Sequence, residues 1–302
     1  MKKLKLLSMI AVAGGLFFMT SCAKDGADGL AGANGADGPT GPAGANGSIV
    51  TSADQAAYDA ANGITGGKYY DNFASSSLGL PASSDPNITG NLDFFRCKQC
   101  HGWDLIGNKG AYVNRAPSAT RPSVAPNNVR SFALNHNIRE IFDAIKNTGG
   151  RNKMSNGNNK SLNDDHPDFG LILTDANIWD IVKFLKVEAY NTYNLYDIIV
   201  TGTYPTGSRV FTNVGKDGVA ATGNAYFASN CAGCHGATGT AIQLDGGGNY
   251  IGDFLRDKPF ETQHKIKFGQ LGAAMGGFPT ATEMDAKNLF KAGQDTLAFP
   301  GF

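Results

Sequence analysis

The chain has 302 residues, with 26 basic and 26 acidic side chains cancelling to a formal charge of zero, so no nucleic-acid partner is expected. Its length calls for two folded domains, and its 41 % hydrophobic content is enough to give each a core. Only five cysteines are present, which leaves little material for a disulfide framework.

The N-terminus, "MKKLKLLSMIAVAGGLFFMTSC", combines three lysines, an apolar run from Leu6 to Met19 and small residues before Cys22. That pattern predicts a secretory signal over residues 1–21, too short for a stable membrane span. Its ending resembles a bacterial lipobox with Met19 in place of the more usual leucine, and the resemblance implies that Cys22 becomes the lipidated N-terminus. The expected location is therefore outside the cytoplasm, lipid-anchored and facing the periplasm or the cell surface. Lys24 and Asp25, just after the lipid cysteine, resemble surface-export signals. Residues 22–48 then carry glycine at 26, 29, 32, 35, 38, 41, 44 and 47, the period of a collagen-like Gly-x-y repeat. Proline occurs only at 39 and 42, so a flexible stalk reaching roughly 70 Å is expected, a trimer through a triple helix being the alternative.

The first globular domain is expected over 49–195. "SADQAAYDAANG" predicts a short helix capped by Ser52 and Gln55 and stopped by Gly63. "CKQCH" follows at 97–101, and the pattern returns as "CAGCH" at 231–235. A redox dithiol needs no histidine after its second cysteine, and adjacent Cys100 and His101 would bind one tetrahedral zinc only with strain. Covalent haem accounts for every position. Cys97 and Cys100, and again Cys231 and Cys234, add to the haem vinyl groups as thioethers, while His101 and His235 supply the proximal imidazoles. Two covalently bound haem c groups are expected.

The insert "GWDLIGNKGAYVNRAPSATRPSVAPNN" predicts loops around the haem, with Arg115 and Arg121 in a solvated stretch or reaching propionates. "NIREIFDAIKNTGG" predicts a helix capped by Asn137 and Glu140 with Ile138, Ile141, Phe142 and Ile145 on one face, ended by Gly149 and Gly150. "TDANIWDIVKFLKVEAY" predicts another from Thr174, striped by Ile178, Ile181, Val182 and Leu185. Residues 196–222 read as a linker with hairpin character. A second domain over 223–302 opens on a helix running into its motif, and ends on one capped by Thr280 and Glu283, with Met284 in the core.

These residues, above all the two CxxCH motifs and "HPDFGLILTDANIWDIVKFLK", resemble class I cytochrome c. The similarity covers both globular domains and implies an all-α fold of two haem domains in tandem behind the Gly-x-y stalk. It also implies the sixth iron ligands. Met275 stands in the glycine-rich loop before the final helix, where the family places its axial methionine. For the first haem Met154 is expected, with His166 as the alternative; His136 or an open site comes after these. His264 is expected to be structural or a propionate partner.

The expected role is electron transfer, passing single electrons between redox proteins or membrane electron-transport complexes, with no catalytic residues. A diheme enzyme of the peroxidase or thiosulfate dehydrogenase type, with one open iron, is the alternative. No carboxylate–histidine cluster in the sequence favours it.

Overall fold

The computed structural model describes residues 48–73, 96–118, 121–148, 166 and 169–302, all within one compact unit. The signal, Cys22, the stalk, Gly149–Gly150 and Met154 lie outside the described residues.

Helix α1 (Ser52–Ala60) is capped by Thr51, one residue before the expected cap Ser52. Thr51 accepts from the Asp54 N–H at 3.1 Å, and the Asp54 carboxylate accepts from the Thr51 N–H at 2.9 Å. Gly63 is not a stop but the first residue of α2 (Gly63–Asn72), whose cap is Asn62. Five-residue α3 (Cys97–His101) carries the first motif, and α4 (Val129–Asn135) and α5 (Ile138–Lys146) follow. The Asn137–Glu140 capping box of α5 forms as expected, and left-handed Asn147 ends the helix. Thr174 caps α6 (Asp175–Lys183), which continues as one π-helical turn through Glu188.

Each predicted stripe residue of α6 and its extension, Ile178, Ile181, Val182 and Leu185, is buried in the first core with Tyr70, Phe73, Ile141, Phe142 and Phe184. Helix α2 crosses α6 at very close range. A Cβ on Gly66 would fall 1.9 Å from the Asp180 carbonyl oxygen, so this crossing admits only glycine.

Past α7 (Thr192–Leu195), the linker is a hairpin, as expected: β1 (Asp197–Thr201) pairs antiparallel with β2 (Ser208–Thr212), Ile199 facing Val210. Helix α8 (Ala220–Asn230) leads into α9 (Ala232–His235), the second motif, followed by α10 (Ile251–Asp257), α11 (Pro259–Phe268) and α12 (Glu283–Ala292). The α8–α12 crossing repeats the device of the first lobe, a Cβ on Gly223 falling 2.0 Å from the Asn288 carbonyl oxygen.

Several expectations are corrected. The cap of α12 is Thr282 with Asp285, not Thr280 with Glu283; the Glu283 carboxylate instead accepts from the Asn191 N–H and the Asn194 side chain. Met284 is 49 % exposed, because Ala286, Leu289 and Phe290 form the buried face of that helix. The described residues of the 102–128 insert form turns and loops without a long helix, as expected, but they are not simply solvated. Trp103, Ala111, Tyr112 and Val124 belong to the second core, alongside Leu195, Tyr196, Phe227, Leu255 and Phe290. Conversely Phe268, from α11, belongs to the first core. The two lobes therefore share buried side chains, and Gln263 of α11 donates to the Trp103 carbonyl at 3.2 Å.

Asp104 organises that insert. Its carboxylate accepts from the Ile106 N–H at 3.2 Å and the Ala111 N–H at 2.6 Å. Burial pushes its pKa up to about 6 against those hydrogen bonds. A carboxyl raised on folding contributes stability that is complete below its unfolded value and lost as pH rises through the folded one. Here that amounts to roughly 3 kcal/mol, lost between about pH 4 and pH 6. In urea titrations the parent should lose stability across that interval while Asp104→Asn stays flatter. Parallel pH profiles would refute the assignment.

Candidate functional site

A helical turn places residues i, i+3 and i+4 on one face, so Cys97, Cys100 and His101 point the same way from α3, and Cys231, Cys234 and His235 do so at the second motif. Each turn stops at a glycine in the same unusual conformation: Gly102 has φ 76° and ψ 161°, Gly236 φ 79° and ψ 164°. In each the glycine N–H closes the turn on the carbonyl of the residue after the first cysteine, at 2.9 Å to Lys98 and 2.9 Å to Ala232. Two stretches sharing only the cysteines, the histidine and the following glycine thus adopt one geometry.

All four motif cysteines are free thiols. Burial pushes Cys97 up to about 12, and burial followed by neighbouring Cys234 pushes Cys231 up to about 11. Both are protonated at neutral pH, unlike the thiolates of a reactive dithiol. Among the described residues, no three His, Cys, Asp or Glu side chains gather as a metal cage requires. Each motif histidine has its Nδ1 buried without a hydrogen-bond partner among the described residues. Burial, then neighbouring His166, lowers the pKa of His101 to about 3, and burial lowers that of His235, so both imidazoles are in the neutral, ligating form. Free thiol pairs beside a neutral imidazole fit a covalently held haem, which when bound supplies a one-electron iron couple.

The wall behind the first motif is charged. Lys98, between the two cysteines, lies 3.1 Å from Asp71 and 3.7 Å from the centre of the Trp103 ring. Arg96 reaches the same carboxylate at 2.6 Å. Burial works against the Asp71 anion, yet Lys98, His264 and Arg96 together hold its pKa below the usual value. Burial pulls Lys98 down to about 8, opposed by Asp71. No sequence motif announces this cluster, because Asp71 and Arg96 are 25 positions apart. Arg115 donates to Gln99 inside the motif, and Arg121 donates to the Ala116 carbonyl at 2.9 and 2.7 Å.

The remaining histidines separate cleanly. His136 stacks on Phe132 at 3.9 Å. His264 is enclosed between the lobes by Trp103 at 4.7 Å, Phe268 at 4.5 Å, Phe184 at 5.8 Å and Tyr70 at 6.2 Å, its Nε2 buried without a partner. His166 is exposed, with its ring centre 6.3 Å from that of His101. Met275 is half-buried in the loop joining α11 to α12.

Residues 90–187 match the family model described as cytochrome c, and residues 218–291 match the one described as cytochrome C oxidase, cbb3-type, subunit III. The chain carries cytochrome c domains. No curated protein and no solved structure matches it. Each matched range encloses one CxxCH motif; cytochrome c domains imply covalently bound haem c and support an electron-transfer haem protein.

Proposed function

We propose that this is a two-haem electron carrier, tethered outside the cytoplasm through a lipid on Cys22 and held off the membrane by the Gly-x-y stalk. Its haem domains would run over 49–195 and 223–302, joined by the 196–222 linker. Cys97 and Cys100 carry the first haem with His101 as proximal ligand; Cys231, Cys234 and His235 carry the second, with Met275 opposite. The observation that carries this reading is the shared backbone geometry of the two motifs down to the capping glycine. Its partners are redox proteins or a membrane electron-transport complex, supported by the oxidase-subunit description of the second matched model.

Intact mass tests the haem count and the anchor together. The mature protein, extracted in detergent from a host that matures cytochromes c, is denatured, stripped of free haem and weighed intact. The expected mass is that of residues 22–302 plus two haems and an acylated N-terminal cysteine. A mass showing one retained haem would defeat the two-haem reading, and an unmodified Cys22 would defeat the anchor.

A further inference from the structure

The geometry points to His166 as the sixth ligand of the first haem, making that iron bis-histidine and setting it apart from the second. This rests on the two-haem reading above.

The distance between two imidazoles sharing one iron is set by bond lengths. Metal–imidazole bonds run about 2.0 Å and a ring nitrogen lies about 1.1 Å from its ring centre, so coaxial ligands put their centres roughly 6.2 Å apart. The His101 and His166 centres are 6.3 Å apart. Such rings are free to twist about their common axis, so the 48° between their planes suits the pair.

His166 is also held where it stands. Its ring packs edge-on against Phe169 at 5.1 Å, and Phe169 is in turn edge-on to buried Phe73 at 5.7 Å. Its carbonyl accepts from the Asn147 side chain at 2.7 Å, which ties the segment to the end of α5. The other two non-motif histidines are packed elsewhere, His136 on Phe132 and His264 in the aromatic box behind the wall of the first motif. An exposed histidine anchored by a core phenylalanine, at the ligand-pair distance from the proximal ring, replaces the expected Met154.

The consequence is directional. A thioether ligand favours ferrous iron and raises the potential, whereas a second imidazole leaves it lower. With Met275 on the second iron, an electron would move downhill from the first haem to the second, one ferrous iron being oxidised as the other is reduced.

The test compares His166→Ala, His166→Met and Met154→Leu in the mature, two-haem protein by electron paramagnetic resonance and redox titration. In His166→Ala one of the two low-spin ferric signals should become high-spin and return on addition of imidazole. In His166→Met the lower of the two midpoint potentials should rise, while Met154→Leu should match the parent. His166 is exposed, and His166→Met keeps an iron ligand at the position, so the inference remains testable if His166→Ala matures poorly. If Met154→Leu produces the high-spin signal, or if both His166 variants match the parent, His166 is only packed against His101 and the inference fails. Intact mass on the same samples separates that outcome from failure of the two-haem reading, which would appear as a missing haem.

Discussion

Gly66→Val should cost the first lobe about 3 kcal/mol or more, lowering its thermal midpoint by roughly 10 °C. The cause is a backbone collision. A Cβ at this position would sit 1.9 Å from the Asp180 carbonyl oxygen and 2.3 Å from its carbon, neither of which can turn aside as a side chain does. Valine adds two methyl groups in the same space, so α2 and α6 must separate, and Tyr69, Tyr70 and Phe73 are drawn off the core they share with Ile178, Ile181 and Phe184. Gly223→Val should produce the matching loss in the second lobe, since its Cβ would meet the Asn288 carbonyl oxygen at 2.0 Å. Gly248→Ala is the control: nothing lies within 4 Å of a Cβ there, and surface substitutions of that kind usually fall within about 0.5 kcal/mol. Denaturant titrations in which Gly66→Val and Gly248→Ala have the same midpoint would show that the crossing tolerates a side chain.

That crossing also shows where the sequence is silent. Helices α5 and α6 are legible because their signals are local: Asn137 with Glu140 and Thr174 at the caps, and an apolar stripe at helical spacing. Helix α2 is not, because "GITGGKYYDN" places three glycines where propensity opposes a helix, and only the close approach of α6 rewards them. The 102–128 insert misleads in the same way. Its prolines and glycines do bar long helices, but Trp103, Tyr112 and Val124 are sparse anchors whose partners come from the second lobe. At the site, the ligand face of each CxxCH turn can be read directly from its spacing. The Asp71–Arg96–Lys98 cluster, the enclosure of His264 and the His101–His166 spacing are products of tertiary folding, joining residues with no common motif.

Met275→Leu should open the second iron, so that the reduced variant binds one carbon monoxide per protein where the parent binds none. Helix α11 ends at Phe268 with Gly269 as its C-cap, and the loop beyond it is closed by the Gln270 N–H on the Met275 carbonyl at 2.9 Å and by the Phe278 N–H on the Ile266 carbonyl at 2.8 Å. Phe278 meets Tyr226 of α8 edge-on at 6.3 Å, which ties this loop to the helix that runs into Cys231. Leucine fills a similar volume and leaves those contacts in place, but it has no lone pair to offer iron. Loss of the thioether should also lower the second haem's potential and remove the ferric methionine charge-transfer band, while the first haem's signals remain. A carrier keeps both irons six-coordinate, so the parent should show neither peroxidase turnover nor carbon monoxide binding. Binding by the unmutated reduced protein would mean that an iron is already accessible and would favour the diheme enzyme. If Met275→Leu leaves spectrum, potential and ligand binding unchanged, Met275 only packs the loop. Exposed Met284 and enclosed His264 would then be poor replacements, since the one points to solvent and the other lies in the aromatic box between the lobes.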